Sequence, residues 1–133
     1  MINVALFGFG RIGQMHGENL YKHPKFHLKY VYDKDFKLAK KSENKFKTKS
    51  IKDYKIALKD KDIDVIFITS STATHINFIK EAAIYKKTIF CEKPLDLDLN
   101  KILNCKKYIQ KFSPRIQIGF NRRYDPGHYY LKK

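Results

Sequence analysis

A strand, a glycine-rich turn and a helix in immediate succession constrain this chain more than anything else in it. Ile2-Asn3-Val4-Ala5-Leu6-Phe7 reads as a buried strand, and Gly8-Phe9-Gly10-Arg11-Ile12-Gly13 follows at once and opens a helical pattern. A second strand-like run, Phe26 to Tyr32, leads to Asp33, twenty positions after Gly13. This is the dinucleotide-binding order, and each part has a mechanical task. Gly8 permits the tight turn, Gly10 lets the backbone approach a pyrophosphate, and Gly13 lets the helix pack closely on the strand. The helix N-terminus offers unpaired N–H groups to phosphates, and Asp33 is placed to accept hydrogen bonds from ribose hydroxyls. The expected cofactor contacts are Gly8, Phe9, Gly10, Arg11, Ile12, Gly13 and Asp33. A carboxylate repels a 2′-phosphate, so Asp33 favours NAD over NADP. The ammonium of Lys34 works against that preference.

The remaining elements alternate. Helix residues 11–22 put Ile12, Met15 and Leu20 on one side, and His23-Pro24 ends them. After Asp33 come a short lysine-rich helix and a weak strand near 46–51. Asp53 is a capping candidate for a helix that turns Tyr54, Ala57 and Leu58 inward. Asp64 to Thr69 is the clearest buried strand. The hydroxyl-rich loop Ser70 to Thr74 precedes a helix carrying Ile76, Ile79, Ala82 and Ala83 at helical spacing. Thr88 to Cys91 is a fifth strand, Asp98 caps a helix with Leu99, Ile102, Ile109 and Phe112 on one face, and Ile116 to Phe120 is a sixth strand. Alternation of this kind predicts an α/β fold, a doubly wound parallel sheet with strand order 3-2-1-4-5-6.

Composition excludes several classes. A chain of 133 residues with 43% apolar content holds one domain with a real core. Lys, Asp or Asn interrupts every apolar run before it reaches membrane-spanning length. Residues 1–10 enter the first strand directly, without a signal-peptide pattern. Cys91 and Cys105 lack the spacing of a zinc site or a disulfide framework, Cys91 reads as a small buried apolar residue, and a reducing cytoplasm is the simplest compartment. The net charge of +15 raises nucleic acid as a partner, but arginine occurs only at 11, 115, 122 and 123 and the lysines are spread along the chain. The charge is expected to attract anions, a dinucleotide among them.

Ligands of open α/β sheets bind at the carboxyl ends of the strands. Here those ends carry Thr69-Ser70-Ser71, Glu92-Lys93-Pro94 and Gly119-Phe120-Asn121-Arg122-Arg123-Tyr124-Asp125-Pro126. The hydroxyls of Thr69, Ser70 and Ser71 are expected either to meet the cofactor or to cap the following helix, and His75 to cap or pack. With the glycine turn, the last two segments resemble the N-terminal, cofactor-binding domain of the Gfo/Idh/MocA oxidoreductases, most closely the inositol 2-dehydrogenase branch. The resemblance runs the length of the chain. It implies that Lys93 is catalytic: a lysine at a strand mouth hydrogen-bonds the substrate hydroxyl and stabilises the developing alkoxide during hydride transfer. Glu92 is expected to orient Lys93 or to meet the nicotinamide ribose, and a cis Lys93–Pro94 bond would fix the lysine's direction.

The resemblance also implies a second α/β domain that carries most of the substrate pocket and an Asp-x-x-x-His acid/base pair. No Asp in this sequence is followed four positions later by His. The expectation is a dinucleotide-binding domain over residues 1–120 and, over 121–133, the start of a connection to a missing domain, with Tyr129-Tyr130-Leu131 as a helical stub. Such a chain binds NAD but turns over a sugar or polyol weakly or not at all, unless a complementing chain completes it. The alternatives are a non-catalytic module that senses NAD(H) and, further off, a basic nucleic-acid-binding protein. A strand face left open by the missing domain is expected to make the chain sticky or a homo-oligomer.

Overall fold

Successive side chains of a strand point to opposite faces, and in the first strand both sets are fully buried: Val4 and Leu6 on one side, Ala5 and Phe7 on the other. Such a strand requires a helical layer on each face. The computed structural model, which describes residues 1–131, has that architecture. Strands β1 (Ile2–Phe7), β2 (Phe26–Tyr32), β3 (Lys49–Ile51), β4 (Val65–Ile68), β5 (Thr88–Cys91) and β6 (Ile116–Ile118) form one parallel sheet in the order 3-2-1-4-5-6. Helices α1 (Arg11–Lys22) and α2 (Phe36–Phe46) cover Val4, Leu6, Leu28 and Val31. Helices α3 (Lys55–Lys59), α4 (Thr72–Ile84) and α5 (Leu99–Ile109) cover Ala5, Phe7, Ile66, Ile68, Ile89 and Cys91. A 3-10 turn (Asn121–Tyr124) and α6 (Pro126–Tyr130) follow β6 at the surface.

Several local expectations need correction. Met15 is 48% exposed, and the buried stripe of α1 is Gly13, Gly17 and Leu20. The reason is the closeness of α1 to its neighbours: a Cβ on Gly17 would lie 3.0 Å from the Phe46 ring and 3.3 Å from the Phe9 ring. Phe46 ends α2 and packs edge-on against Phe9, so the third strand begins only at Lys49. Leu99 is 66% exposed because the first turn of α5 projects past the core, which receives only Cys105 and Ile109 from that helix, with Ile102 half-buried. Asp53 accepts from Lys55 N at 2.9 Å, one residue ahead of the helix boundary at Tyr54.

At the amino-terminal edge of the sheet, the buried Lys87 donates to the carbonyls of Asp60 (2.6 Å) and Ile63 (2.7 Å). Asp60 lies 2.8 Å from Lys29, whose hydrogen bond does most to pull the carboxyl down to about 2. Polar groups that clamp the core are thus gathered at the edge away from the glycine turn. On the α1 side of β4 and β5, the stacked rings of Phe67 and Phe90 are only half-buried. Among the described residues no helix is long and apolar enough to cross a membrane.

Candidate functional site

The chain leaves β1 through Gly8 at φ +97°, a conformation that strains any residue with a Cβ. A Cβ there would also sit 2.5 Å from the Ser70 backbone, so the turn and the β4–α4 loop are in direct contact. Gly8 N donates to Tyr32 O at 2.7 Å, which draws the end of β2 alongside. Asp33 is fixed there: Oδ2 accepts from Phe9 N at 2.7 Å and Oδ1 from Asp35 N at 2.9 Å. The glycine turn, Asp33, Lys34 and Ser70-Ser71 line a cleft of about 400 Å³, a size suited to part of a dinucleotide.

Two features of the cleft point outward to a ligand. Besides the short α3 at Tyr54, the N-termini of α1 and α4, at Gly10 and Ser71, have no side-chain cap, whereas α2, α5 and α6 are capped by Asp35, Asp98 and Asp125. Uncapped first turns leave N–H donors for an anion, and both lie in the cleft wall. Gly10 has φ −68°, open to any residue, and apart from its chain neighbours no described residue lies within 4 Å of the Cβ it lacks. Neither backbone nor packing requires glycine there, whereas close approach of a pyrophosphate does. The residues present therefore fit the dinucleotide.

Not every expected contact faces that space. The Phe9 ring is fully buried and its N–H is committed to Asp33, so Phe9 serves the site by holding the carboxylate. The Thr69 hydroxyl donates to Gly8 O (2.7 Å), with Phe7 O also near at 3.2 Å, tying β4 to the turn. Ser70 Oγ lies 2.6 Å from Thr74 Oγ1, while Ser71 is exposed at the cleft. Arg11 and Ile12 line the cleft, whereas Gly13 lies behind it and packs against the turn, where a Cβ would overlap the Gly8 carbonyl.

The second half of the site is the turn after β5. The Lys93–Pro94 peptide is cis, as expected. Lys93 is exposed, lines a separate cleft of about 520 Å³ with Phe120 to Arg123, and its ammonium has no hydrogen bond or ion pair among the described residues. Glu92 is held: Oε1 lies 2.7 Å from His16 Nε2, and Oε2 accepts from Lys93 N at 3.1 Å. A Cβ on Gly119 would come within 3.1 Å of Glu92 Oε1, so that glycine leaves room for the carboxylate. Glu92 is thereby tied to the backbone of the lysine turn. Nothing in the sequence marks His16 for this task, because its partner is 76 positions away. His75 is buried and packs in α4, as expected, and both its ring nitrogens reach backbone carbonyls. No group of three His, Cys, Asp or Glu side chains among the described residues is arranged for a metal ion.

Cys91 lies directly before Glu92. Burial, reinforced by the Glu92 charge, pushes its thiol up to about 12, and burial also raises Cys105. The Cys91 thiolate is therefore scarce at neutral pH, and the folded chain is expected to resist iodoacetamide until it unfolds. Peptide mass mapping checks this, and labelling at Cys91 in native buffer at the rate of free cysteine would contradict it.

Sheet order, the outward-facing Gly10 and a fixed acid at the end of β2 define a dinucleotide-binding domain. Residues 2–120 match the oxidoreductase family with an NAD-binding Rossmann fold, and the chain belongs to that family, Gfo/Idh/MocA. It is 40% identical over 126 residues to the uncharacterized oxidoreductase YrbE of Bacillus subtilis, covering 94% of this chain and 37% of that protein. It is 31% identical over 134 residues to inositol 2-dehydrogenase of Rhizobium meliloti, covering 99% of this chain and 40% of the relative. Among solved structures, myo-inositol dehydrogenase from Lactobacillus casei, in complex with NAD(H) and myo-inositol, superposes with a TM-score of 0.92 at 31% identity. That match covers 99% of this chain and 40% of the other. The chain thus spans about 40% of the length of such relatives.

Proposed function

We propose that this chain is the cofactor half of an oxidoreductase that moves hydride between NAD(H) and a hydroxyl-bearing carbon of a sugar or inositol-like polyol. Residues 1–120 form the dinucleotide-binding domain, and 121–133 begin the connection to the substrate side; of these, 132 and 133 lie outside the described residues. NAD, when bound, supplies the hydride acceptor. The chain's own residues do the rest. The first turns of α1 and α4 neutralise phosphate charge with N–H donors, Gly10 leaves room for them, and Asp33 takes the ribose hydroxyls. The Lys93 ammonium donates to the substrate hydroxyl and stabilises the oxyanion as its proton departs. Ser71 and the lone pairs of Ser70 add acceptors and donors to the cleft wall.

The observation that carries this reading is the ligand-facing Gly10, opposite Asp33 on the same carboxyl edge of the sheet that bears Lys93. The names of the relatives supply the substrate class, and their greater length bears on completeness. The Asp-x-x-x-His pair does not occur in these residues, so the group that accepts the proton beside Lys93 is not among them.

Titration with NADH, followed by fluorescence, tests the binding. Loss of a charge-assisted hydrogen bond in Asp33→Ala is expected to raise Kd roughly 10- to 100-fold. Wild type that ignores NADH overturns the function, and an Asp33→Ala variant with unchanged Kd overturns the ribose assignment. Incubation with NAD and myo-inositol is expected to give no NADH; sustained turnover would show that the chain needs no complement.

A further inference from the structure

His75 has contacts that packing alone does not require. It is 1% exposed, and its two ring nitrogens reach two different turns: Nδ1 lies 2.8 Å from Pro94 O, and Nε2 lies 3.0 Å from Ser70 O. Carbonyl oxygens only accept, so a singly protonated ring donates to one of the two partners and a doubly protonated ring to both. Burying two imidazole nitrogens is unfavourable unless they are bonded, and a phenylalanine would fill the same space without that cost. The two partners are not arbitrary. Ser70 lies in the wall of the dinucleotide cleft, against Gly8, and Pro94 closes the cis peptide that presents Lys93.

Lys93 itself is exposed, and its ammonium has no partner among the described residues, so the backbone turn alone sets its direction. That turn is held from both sides of the sheet. From α1, His16 grips Glu92, whose other oxygen accepts the Lys93 N–H. From α4, His75 grips the carbonyl of Pro94. Only the second brace also touches the cofactor cleft.

We propose that His75 is a positioning residue that locks the Lys93–Pro94 turn to the Ser70 turn, so that a dinucleotide seated in the cleft is registered at Lys93. This coupling rests on the cofactor assignment above, whereas the brace itself does not. A mere filler of the core would transmit nothing between the two turns.

Amide exchange measured by NMR on the 133-residue chain, without cofactor, tests the brace. In His75→Phe the Lys93 N–H is expected to exchange roughly tenfold faster, while the strand amides of Ile66 and Ile68 change less than about twofold. His75→Asn keeps a donor near the Nδ1 position and is expected to restore slow exchange at Lys93; His75→Gln, with its donor near the Nε2 position, is not. Equal exchange at Lys93 in wild type and His75→Phe overturns the brace. Should His75→Phe fail to fold, identical Lys93 behaviour in the Asn and Gln variants overturns it instead. Saturating NADH is then added. Wild type is expected to show a shifted Lys93 amide signal, and His75→Gln to lose at least half of that shift at saturation. An undiminished shift overturns the coupling. Wild type that binds no NADH overturns the cofactor assignment and the coupling together, and exchange at Lys93 still decides the brace.

Discussion

Gly10→Val is expected to fold and to lose NADH, with Kd raised at least about 100-fold, equivalent to roughly 2.7 kcal/mol. The expectation follows from what surrounds each glycine of the turn. The Gly10 backbone is in a region open to all residues, and apart from its chain neighbours no described residue lies within 4 Å of the position a Cβ would take, so valine is aimed at the ligand. Its cost to the free protein is that of a poor N-cap, about 1 kcal/mol. Gly13→Ala is the contrasting variant. There the added methyl would overlap the Gly8 carbonyl and press on Thr69, so the strand and helix must separate. A loss of about 3–5 kcal/mol in stability is expected, with binding lost only as a consequence. Thermal melts beside NADH titrations separate the two cases. A Gly10→Val protein that melts normally and binds NADH like wild type would remove the phosphate from this turn.

Much of this site was legible in the sequence because its parts are local. The strand, the three glycines, the acid after β2 and the Glu92-Lys93-Pro94 turn are each short runs whose residue types state their own geometry, and alternating elements then leave few topologies. What stayed hidden depends on which surfaces meet. Periodicity assigned Met15 to the inner side of α1, but the helix approaches its neighbours through Gly17, which in a sequence reads only as a weak helix former. His16 and Glu92 meet across 76 residues, and no local pattern announces that pair. His75 was recognisable as a packing residue, yet its second contact, to Pro94, exists only because α4 passes beneath the turn after β5. For Thr69 the loop's composition leaves ligand contact and helix capping open; its proton goes to Gly8 because β1 and β4 are sheet neighbours, a relation that follows from strand order.

An aromatic cluster behind the cleft wall carries a second large effect. Phe7 is the last residue of β1, fully buried, and immediately precedes Gly8. The rings of Tyr32, Tyr54 and Phe78 surround it at 5.7, 5.9 and 5.1 Å, all at steep angles that suit edge-to-face packing. Phe7→Ala is expected to cost about 3–5 kcal/mol, the usual range for truncating a core phenylalanine. Against a typical total of about 5–15 kcal/mol for a domain, that is enough to leave much of the population unfolded near body temperature. Tyr32 and Phe78 also line the cleft. Any collapse of these rings into the vacancy therefore displaces the wall beside Gly8 and Asp33, and NADH affinity should fall in the fraction that stays folded. Phe7→Leu, which keeps most of the volume, should cost about 1–2 kcal/mol and hold affinity near wild type. Urea unfolding gives the stability and NADH titration of the folded fraction gives the affinity. If Phe7→Ala lost stability without losing affinity, the cleft wall would be held by the Thr69, Tyr32 and Asp33 hydrogen bonds alone, and the aromatic cluster would serve the fold only.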